Sequence, residues 1–437
     1  VNLPAAFDSR IFPENLAIML TILHTADWHL GQSFHGYSRE SEHAAFLDWL
    51  LRQLHELKPH ALLLAGDVFD TIHPSAKAQK LFYAFLAQAR MLHPDLQLVI
   101  TAGNHDAGSR LEAPAGLLDA FSIHIIGTPL NADGTELDFE RLLVPLRGDS
   151  GQTEAIVIAM PFLRPADVPA MPDSEDPLLA GIRAAYEQAV AAAAAMKNAA
   201  APQAALIAIG HCHLAGGLET QDSERRLVVG HAEAIALDTF PSELAYVALG
   251  HLHRAQQFQQ GRIRYSGSPI PLSFTEAGYQ HQIMRLDFVA GQLQSHQSIP
   301  VPRTLPLLTV PERGAAPLED ILPQLRELQQ LPDVPLEQQP FLRVNVLATG
   351  PDPTRRQQIE QALQGCSVRL VQIQPQSVAE QQSEDAATDS APATADLSTL
   401  TPASVLTREY QRVYATEPPA ELLHVLNQVL LQEELPA

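Results

Sequence analysis

Only two cysteines, Cys212 and Cys366, occur among 437 residues. They fall far apart, in separate expected domains, which argues against a disulfide framework and fits a reducing cytoplasm. Positive charge is scarce as well: 28 basic residues stand against 50 acidic, a net charge of −22, the wrong sign for a protein that coats nucleic acid by bulk electrostatics. A DNA enzyme is not excluded, because bound divalent cations invert the sign locally and a partner subunit can supply basic surface. Long apolar runs are missing, and no stretch could span a bilayer, so a soluble chain with no membrane partner is expected. Residues 1–18 have neither the basic start nor the long apolar run of a secretory signal. They read as a non-native or disordered extension, with Met19 opening the folded protein.

What is present is ordinary globular composition, 46% hydrophobic and 18% charged, at a length that calls for two or three domains. Five short segments place histidines and carboxylates after apolar runs that read as strands. Asp27-Trp28-His29 follows Thr21–Thr25, Gly66-Asp67 follows Ala61–Ala65, and Gly103-Asn104-His105-Asp106 follows Leu96–Thr101. Gly210-His211 follows Ala205–Ile209, and Gly250-His251-Leu252-His253 follows Ala245–Leu249. Side chains at the ends of neighbouring strands converge on one rim of a sheet, where open α/β proteins put their sites. Helical periodicity over Arg39–Leu57 and about Ser75–Leu92 separates the first three strands, so a parallel sheet covered by helices is predicted. Strands Ile123–Ile126 and Ala155–Met160 and an alanine-rich helix, Leu178–Ala200, follow. Shorter β segments from Arg262 to Phe288 are read as closing a second sheet.

The fold class is therefore α/β: two sheets face to face with helices outside, an α-β-β-α sandwich over residues 19–299. Residues 300–374 carry a β-α-β-α-β pattern (Leu305–Val310, Leu318–Leu331, Phe341–Ala348, Pro353–Gln364, Ser367–Gln374) and read as a small α/β capping domain. Residues 375–400, poor in large apolar side chains, read as a disordered linker. Residues 401–437 open on Thr401-Pro402 and form two amphipathic helices. One carries Leu406, Tyr410, Val413 and Tyr414 on one face; the other carries Leu422, Leu423, Leu426, Val429 and Leu430. A helical pair on a tether suits docking on a partner.

The five segments fit two divalent cations that clamp a phosphodiester. Asp67 would bridge them, since a carboxylate offers one oxygen to each. Asp27 and His29, alternating along a strand end, would hold the first ion with His253; Asn104, His211 and His251 would hold the second. His211 and His213 share one side of an extended segment and either would serve, with His211 favoured because it directly follows the strand. Mixed nitrogen and oxygen ligation suits Mn²⁺, Fe²⁺ or Zn²⁺, with Mn²⁺ preferred. His105, expected to point outward, would be a general acid whose ring Asp106 orients. His24, His35, His73 and His231 read as structural or peripheral, and Arg39, Lys77 and Arg110 as solvated surface charges. Singly, each segment has a bland reading as a turn or capping pair; together and in order they do not.

These residues resemble the calcineurin-like metallophosphoesterase superfamily. The strings His24–Gly31, Ala65–Thr71, Ala248–Ala255 and Ser266–Phe274 look closely like the SbcD family, the nuclease subunits of bacterial SbcCD complexes, related to the Mre-type nucleases. The likeness covers about Met19 to Val289 and, more loosely, the cap and the C-terminal helices. It implies a Mn²⁺-dependent 3′–5′ exonuclease on double strands and an endonuclease on hairpins and single strands, serving DNA replication, repair and recombination. It also implies a homodimer through the nuclease domain, and a heterotetramer with an SbcC-like coiled-coil ATPase bound through the C-terminal helices. The acidic segment over residues 375–400 departs from the family's pattern. Alternatives are a metallophosphoesterase for another ester, such as a protein phosphatase or cyclic-nucleotide phosphodiesterase, and a non-catalytic DNA-end-binding subunit. Asp106 and Phe69-Asp70-Thr71 stand where the protein-phosphatase branch has Glu and Asp-Arg-Gly.

Overall fold

A computed structural model describes residues 19–220, 234–348, 350, 352–376, 401–414 and 416–433. The N-terminal extension, His231 and almost all of the expected linker lie outside these residues, as do the side chains of Val413, Tyr414, Val429 and Leu430. The chain divides into two compact units, up to Thr304 and from Leu305.

In the first unit, two six-stranded sheets carry the chemistry-bearing loops. The first runs in the order Gln292–Pro300, Gln282–Val289, Met19–Thr25, Ala61–Ala65, Gln97–Thr101, Ile123–Ile126. Its last four strands are parallel, with Leu63 paired to both His24 and Val99. Strand residues alternate between two faces, and here both are apolar. Leu62, Leu64, Leu98 and Ile100 pack on Phe46, Leu50 and Leu54 of helix Glu40–Leu57 and on Phe82, Phe85 and Leu86 of helix Ala76–Leu92. Ala61, Leu63, Ala65 and Val99 join the core shared with the second sheet. That sheet runs Gln256–Phe258, Ile263–Tyr265, Tyr246–Gly250, Ala205–His211, Thr153–Ala159, Leu143–Arg147. Helix Pro177–Ala200 contributes Ala185, Tyr186, Ala189 and Ala193 to the same core, and Asp176 caps its first turn through two backbone N–H groups.

One expectation changes, and one strand is added. Gln282–Val289 does not close the second sheet; it pairs antiparallel with Met19–Thr25 in the first, where Ile283, Leu286 and Phe288 find buried surface. Strand Gln292–Pro300 carries no apolar alternation, being largely exposed, and its pairing with Gln282–Val289 is what defines it.

In the second unit, strands Leu307–Val310, Phe341–Leu347 and Arg369–Gln376 form a parallel three-stranded sheet. Helices Leu318–Glu327 and Arg355–Ala362 cover it with Ile321, Leu325 and Ile359. The last strand runs two residues into the expected linker. Helices Pro402–Tyr414 and Ala420–Glu433 follow; Tyr410 is buried, while Val405, Leu422 and Val425 are exposed. Among the described residues no helix is long and apolar enough to cross a membrane.

His24 ties the two sheets together: its Nδ1 lies 3.0 Å from the Tyr246 hydroxyl. Burial lowers its pKa to about 3, so the ring is neutral when folded. As pH falls from 6.5 toward 3 the unfolded chain takes up a proton the folded one refuses, and stability drops. In His24→Asn, urea unfolding in chelator should show a pH slope near pH 5 shallower by about 1.4 kcal/mol per unit. An unchanged slope would mean that the folded ring titrates freely.

Candidate metal centre

The loops after strands Met19–Thr25 and Ala61–Ala65 are laced together by backbone. Asp27 N–H donates to the Gly66 carbonyl (3.1 Å), His29 N–H to that of Asp67 (3.0 Å) and Leu30 N–H to that of Val68 (3.0 Å). Asp27 and His29 do not alternate along a strand, as expected from sequence; both have positive φ, 56° and 45°. They still face one site because Trp28, between them, turns into the helix-side core, with its ring edge-on to Phe46, Phe82 and Phe85 at 5.2–6.5 Å. Its Nε1–H donates to Thr25 Oγ1 (2.9 Å). Asp67 (φ 49°) and His251 (φ 101°) are also left-handed, a region costly for residues with a Cβ and common at functional sites. Gly66 has φ +84°, and a Cβ there would overlap the His211 ring; at Gly103 one would overlap the Asp67 carboxylate.

The seven expected ligands come together. Asp27, His29 and His253 form one buried group, Asp27, Asp67 and His211 another, and His29, Asp67 and His105 a third, with ligand atoms in each group within 4.8 Å of one another. Asp67 Oδ2 lies 3.3 Å from His211 Nε2 and 3.5 Å from His29 Nε2, while its Oδ1 accepts the His105 N–H (2.8 Å). Asn104 Oδ1 lies 2.9 Å from His211 Nε2 and 3.1 Å from His251 Nδ1, and Asp27 Oδ1 accepts the His251 N–H (2.9 Å). Asp27 Oδ2 is buried without a hydrogen bond among the described residues, an arrangement costly unless something else satisfies it. Two carboxylates, an amide oxygen and four imidazoles suit a pair of divalent cations.

Electrostatics agree. Burial alone would raise the pKa of Asp67, but His211, His29 and His105 outweigh it and hold the carboxyl well below its usual range. His211 is opposed by burial and raised by Asp67 and Asp27 to about 9. Burial dominates at Asp27 and raises it. A proton on His211 thus balances the carboxylates in the bare site, and metal binding must displace it.

His213 pairs with Glu219 at 3.1 Å, its ring 6.4 Å from that of His251, whereas His211 joins Asp27 and Asp67 in the cluster. His105 does not point outward: it is 8% exposed, its ring edge-on to His29 at 4.7 Å. Asp106 does not orient it. The Asp106 carboxylate accepts the N–H groups of Val68, Phe69 and Gly103 (2.9–3.0 Å), and the Asp70 carbonyl holds His105 Nδ1 at 2.8 Å. Burial and Asp67 raise Asp106 to about 6 against those three donors.

Sequence reading misses the groups behind the ligands. Glu276, fully buried, sits 3.1 Å from His253 Nδ1 and accepts the Leu272 N–H (2.9 Å). Its only signal in the sequence is a carboxylate within an apolar, Gly- and Pro-containing stretch. His211 Nδ1 is held by the Ala65 carbonyl (2.9 Å), and His29 Nδ1 lies 3.3 Å from Asp70 Oδ1. Such partners fix tautomer and ring orientation. Arg39, expected on the surface, is 0% exposed. It pairs with Glu42 through two bonds (2.6 and 2.7 Å) and donates to the Pro271 carbonyl, steadying the loop from which Leu272 meets Glu276.

Residues 20–255 match the family model for calcineurin-like phosphoesterases. The SbcD component of the SbcCD nuclease of Rhodobacter capsulatus is 45% identical over 356 residues, covering 80% of this chain and 86% of that protein. The chain belongs to the SbcD family. The SbcD proteins of Escherichia coli and Bacillus subtilis are 34% and 37% identical, over 73% and 66% of this chain and 77% and 71% of theirs. Residues 303–414 of this SbcD-family chain also match the model described as the Type 5 capsule protein repressor C-terminal domain. The fold, the clustered ligands and this membership make the chain a metal-dependent hydrolase of the nuclease type.

If Glu276 sets the His253 ring, Glu276→Gln should weaken manganese binding by about 10–100-fold, read by isothermal titration. Wild-type affinity in that variant would reduce Glu276 to a loop brace.

Proposed function

We propose that this chain hydrolyses DNA phosphodiesters, as a 3′–5′ exonuclease on double strands and an endonuclease on hairpins and single strands, with two Mn²⁺ ions as cofactor. The observation that carries the reading is the gathering of six expected ligands around Asp67, all but the half-buried Asn104 being buried, in a chain of the SbcD family. Asp27, His29, Asp67 and His253 would hold one cation, and Asp67, Asn104, His211 and His251 the other. When bound, the ions supply charge to the phosphate oxygens and make water acidic enough to attack.

The chain's own groups do the rest. Donation from His105 Nδ1–H to the Asp70 carbonyl orients the ring, and in its imidazolium form the ring would give its Nε2 proton to the leaving alkoxide. Asp106 braces the Asn104 loop against Val68 and Phe69, so that ligand and acid keep their spacing.

The chain would work in the cytoplasm beside an SbcC-like coiled-coil ATPase, docked on the C-terminal helices, whose exposed Val405, Leu422 and Val425 support this. A homodimer of the nuclease unit within a heterotetramer would bury the exposed Leu117 and Phe121. The ATPase would supply the positive surface that a chain of net charge −22 lacks.

With a labelled hairpin-ended duplex, Mn²⁺ and the ATPase, wild type should cut. Asp67→Ala should lose both metal and cleavage. His105→Ala should bind Mn²⁺ normally but cut about 10²–10⁴-fold more slowly; undiminished cutting would remove its assigned role. Deleting residues 401–437 should abolish co-purification with the ATPase while sparing hydrolysis of a small phosphodiester, and retained association would move the interface elsewhere.

A further inference from the structure

Beside the metal cluster lies a cavity of about 330 Å³ that none of the assigned roles uses. His211 belongs to both: one edge of the cavity is the end of strand Ala205–His211, with Cys212 and His213. The far wall is the first half of helix Pro177–Ala200, through Leu178, Leu179, Ile182 and Tyr186, and the near wall is Phe162-Leu163-Arg164. The near wall is built against the site. Phe162 N–H donates to the Ala102 carbonyl (2.8 Å), one residue before the Gly103–Asp106 loop, and Arg164 Nη2 donates to the Asp106 carbonyl (3.3 Å). The half-buried Phe162 ring stands edge-on to His211 at 6.3 Å. Cys212 and Tyr186 are both buried, and the rest of the lining is largely apolar.

We propose that this slot takes an unstacked nucleobase of the strand being cut, lying against Phe162 while its phosphate meets the metal cluster. The inference rests on the reading of DNA as substrate and adds a base-binding subsite to it. The size suits the occupant, since small-molecule pockets start at about 300 Å³, and aromatic walls bind bases of any sequence through their faces. Arg164, exposed at the mouth, puts a cation where the nucleotide's backbone enters. Such a slot explains how a centre enclosed by two sheet rims reaches a phosphate within a duplex: the terminal nucleotide leaves the stack, and the slot compensates the lost stacking.

The test uses the full chain with Mn²⁺ and its ATPase, on duplexes with an intact or an abasic nucleotide at the scissile position. Wild type should show a KM about 10-fold higher for the abasic substrate at similar kcat. Phe162→Ala and Ile182→Trp, which removes a wall or fills the slot, should bring the two KM values within about twofold of each other. In a reading independent of turnover, 5-iododeoxyuridine at the scissile position should crosslink on irradiation to the peptide containing Phe162. DNA cleavage without base discrimination, or a crosslink mapped only elsewhere, overturns the subsite and leaves the nuclease reading intact. Failure of wild type to cut any DNA while it hydrolyses a small phosphodiester overturns both.

Discussion

Two carboxylates, Asp27 and Asp67, are buried side by side at the meeting of two sheet rims, and the surrounding structure exists to make that tolerable. Like charges removed from water repel strongly unless opposite charge is supplied at close range. In the chain by itself the supply is a proton on His211, whose pKa the carboxylates lift to about 9; with metal bound it would be the cations. The backbone also gives way to this demand. Four of the seven proposed ligands, Asp27, His29, Asp67 and His251, sit at positive φ, held there by the loop-to-loop hydrogen bonds and by Trp28 wedged in the core. Strain of this kind persists only where neighbours over-determine it.

Behind the ligands stands a set of groups whose work is orientation. Glu276 on His253, the Ala65 carbonyl on His211, Asp70 beside His29 and His105, and Asp106 on three backbone N–H groups turn a collection of rings and carboxylates into a shaped cavity. Arg39 extends the set by one more step, through Pro271 to the loop that carries Glu276.

The parallel strands and the clustering of the candidate site residues are legible in the sequence because each signal is local: an apolar run followed by a glycine, a histidine or an aspartate. Asp-x-His reads as a pair facing one site, which it is, but strand alternation is the wrong reason, since a left-handed loop around a buried tryptophan presents the same two residues. The sheet assignment of Gln282–Val289 is not legible, because pairing across some 260 residues leaves no local trace. Gln292–Pro300 is polar and is defined only by its neighbour. Asp106, Glu276 and Arg39 escape for a related reason: their roles are set by contacts with backbone or with distant residues, and an Arg or Glu bound in that way looks in sequence like any surface charge.

The position of Trp28 has a further bearing on how inherited variation in this chain should be read. It separates two ligands by one residue on each side and anchors them in rings contributed by Phe46, Phe82 and Phe85. A screen for loss of nuclease function would therefore recover these phenylalanines beside the histidines and aspartates, although none of them meets a phosphate. In this protein the hydrophobic interior and the reactive cleft share a residue boundary, so the ordinary sorting of mutations into those that unfold and those that inactivate breaks down.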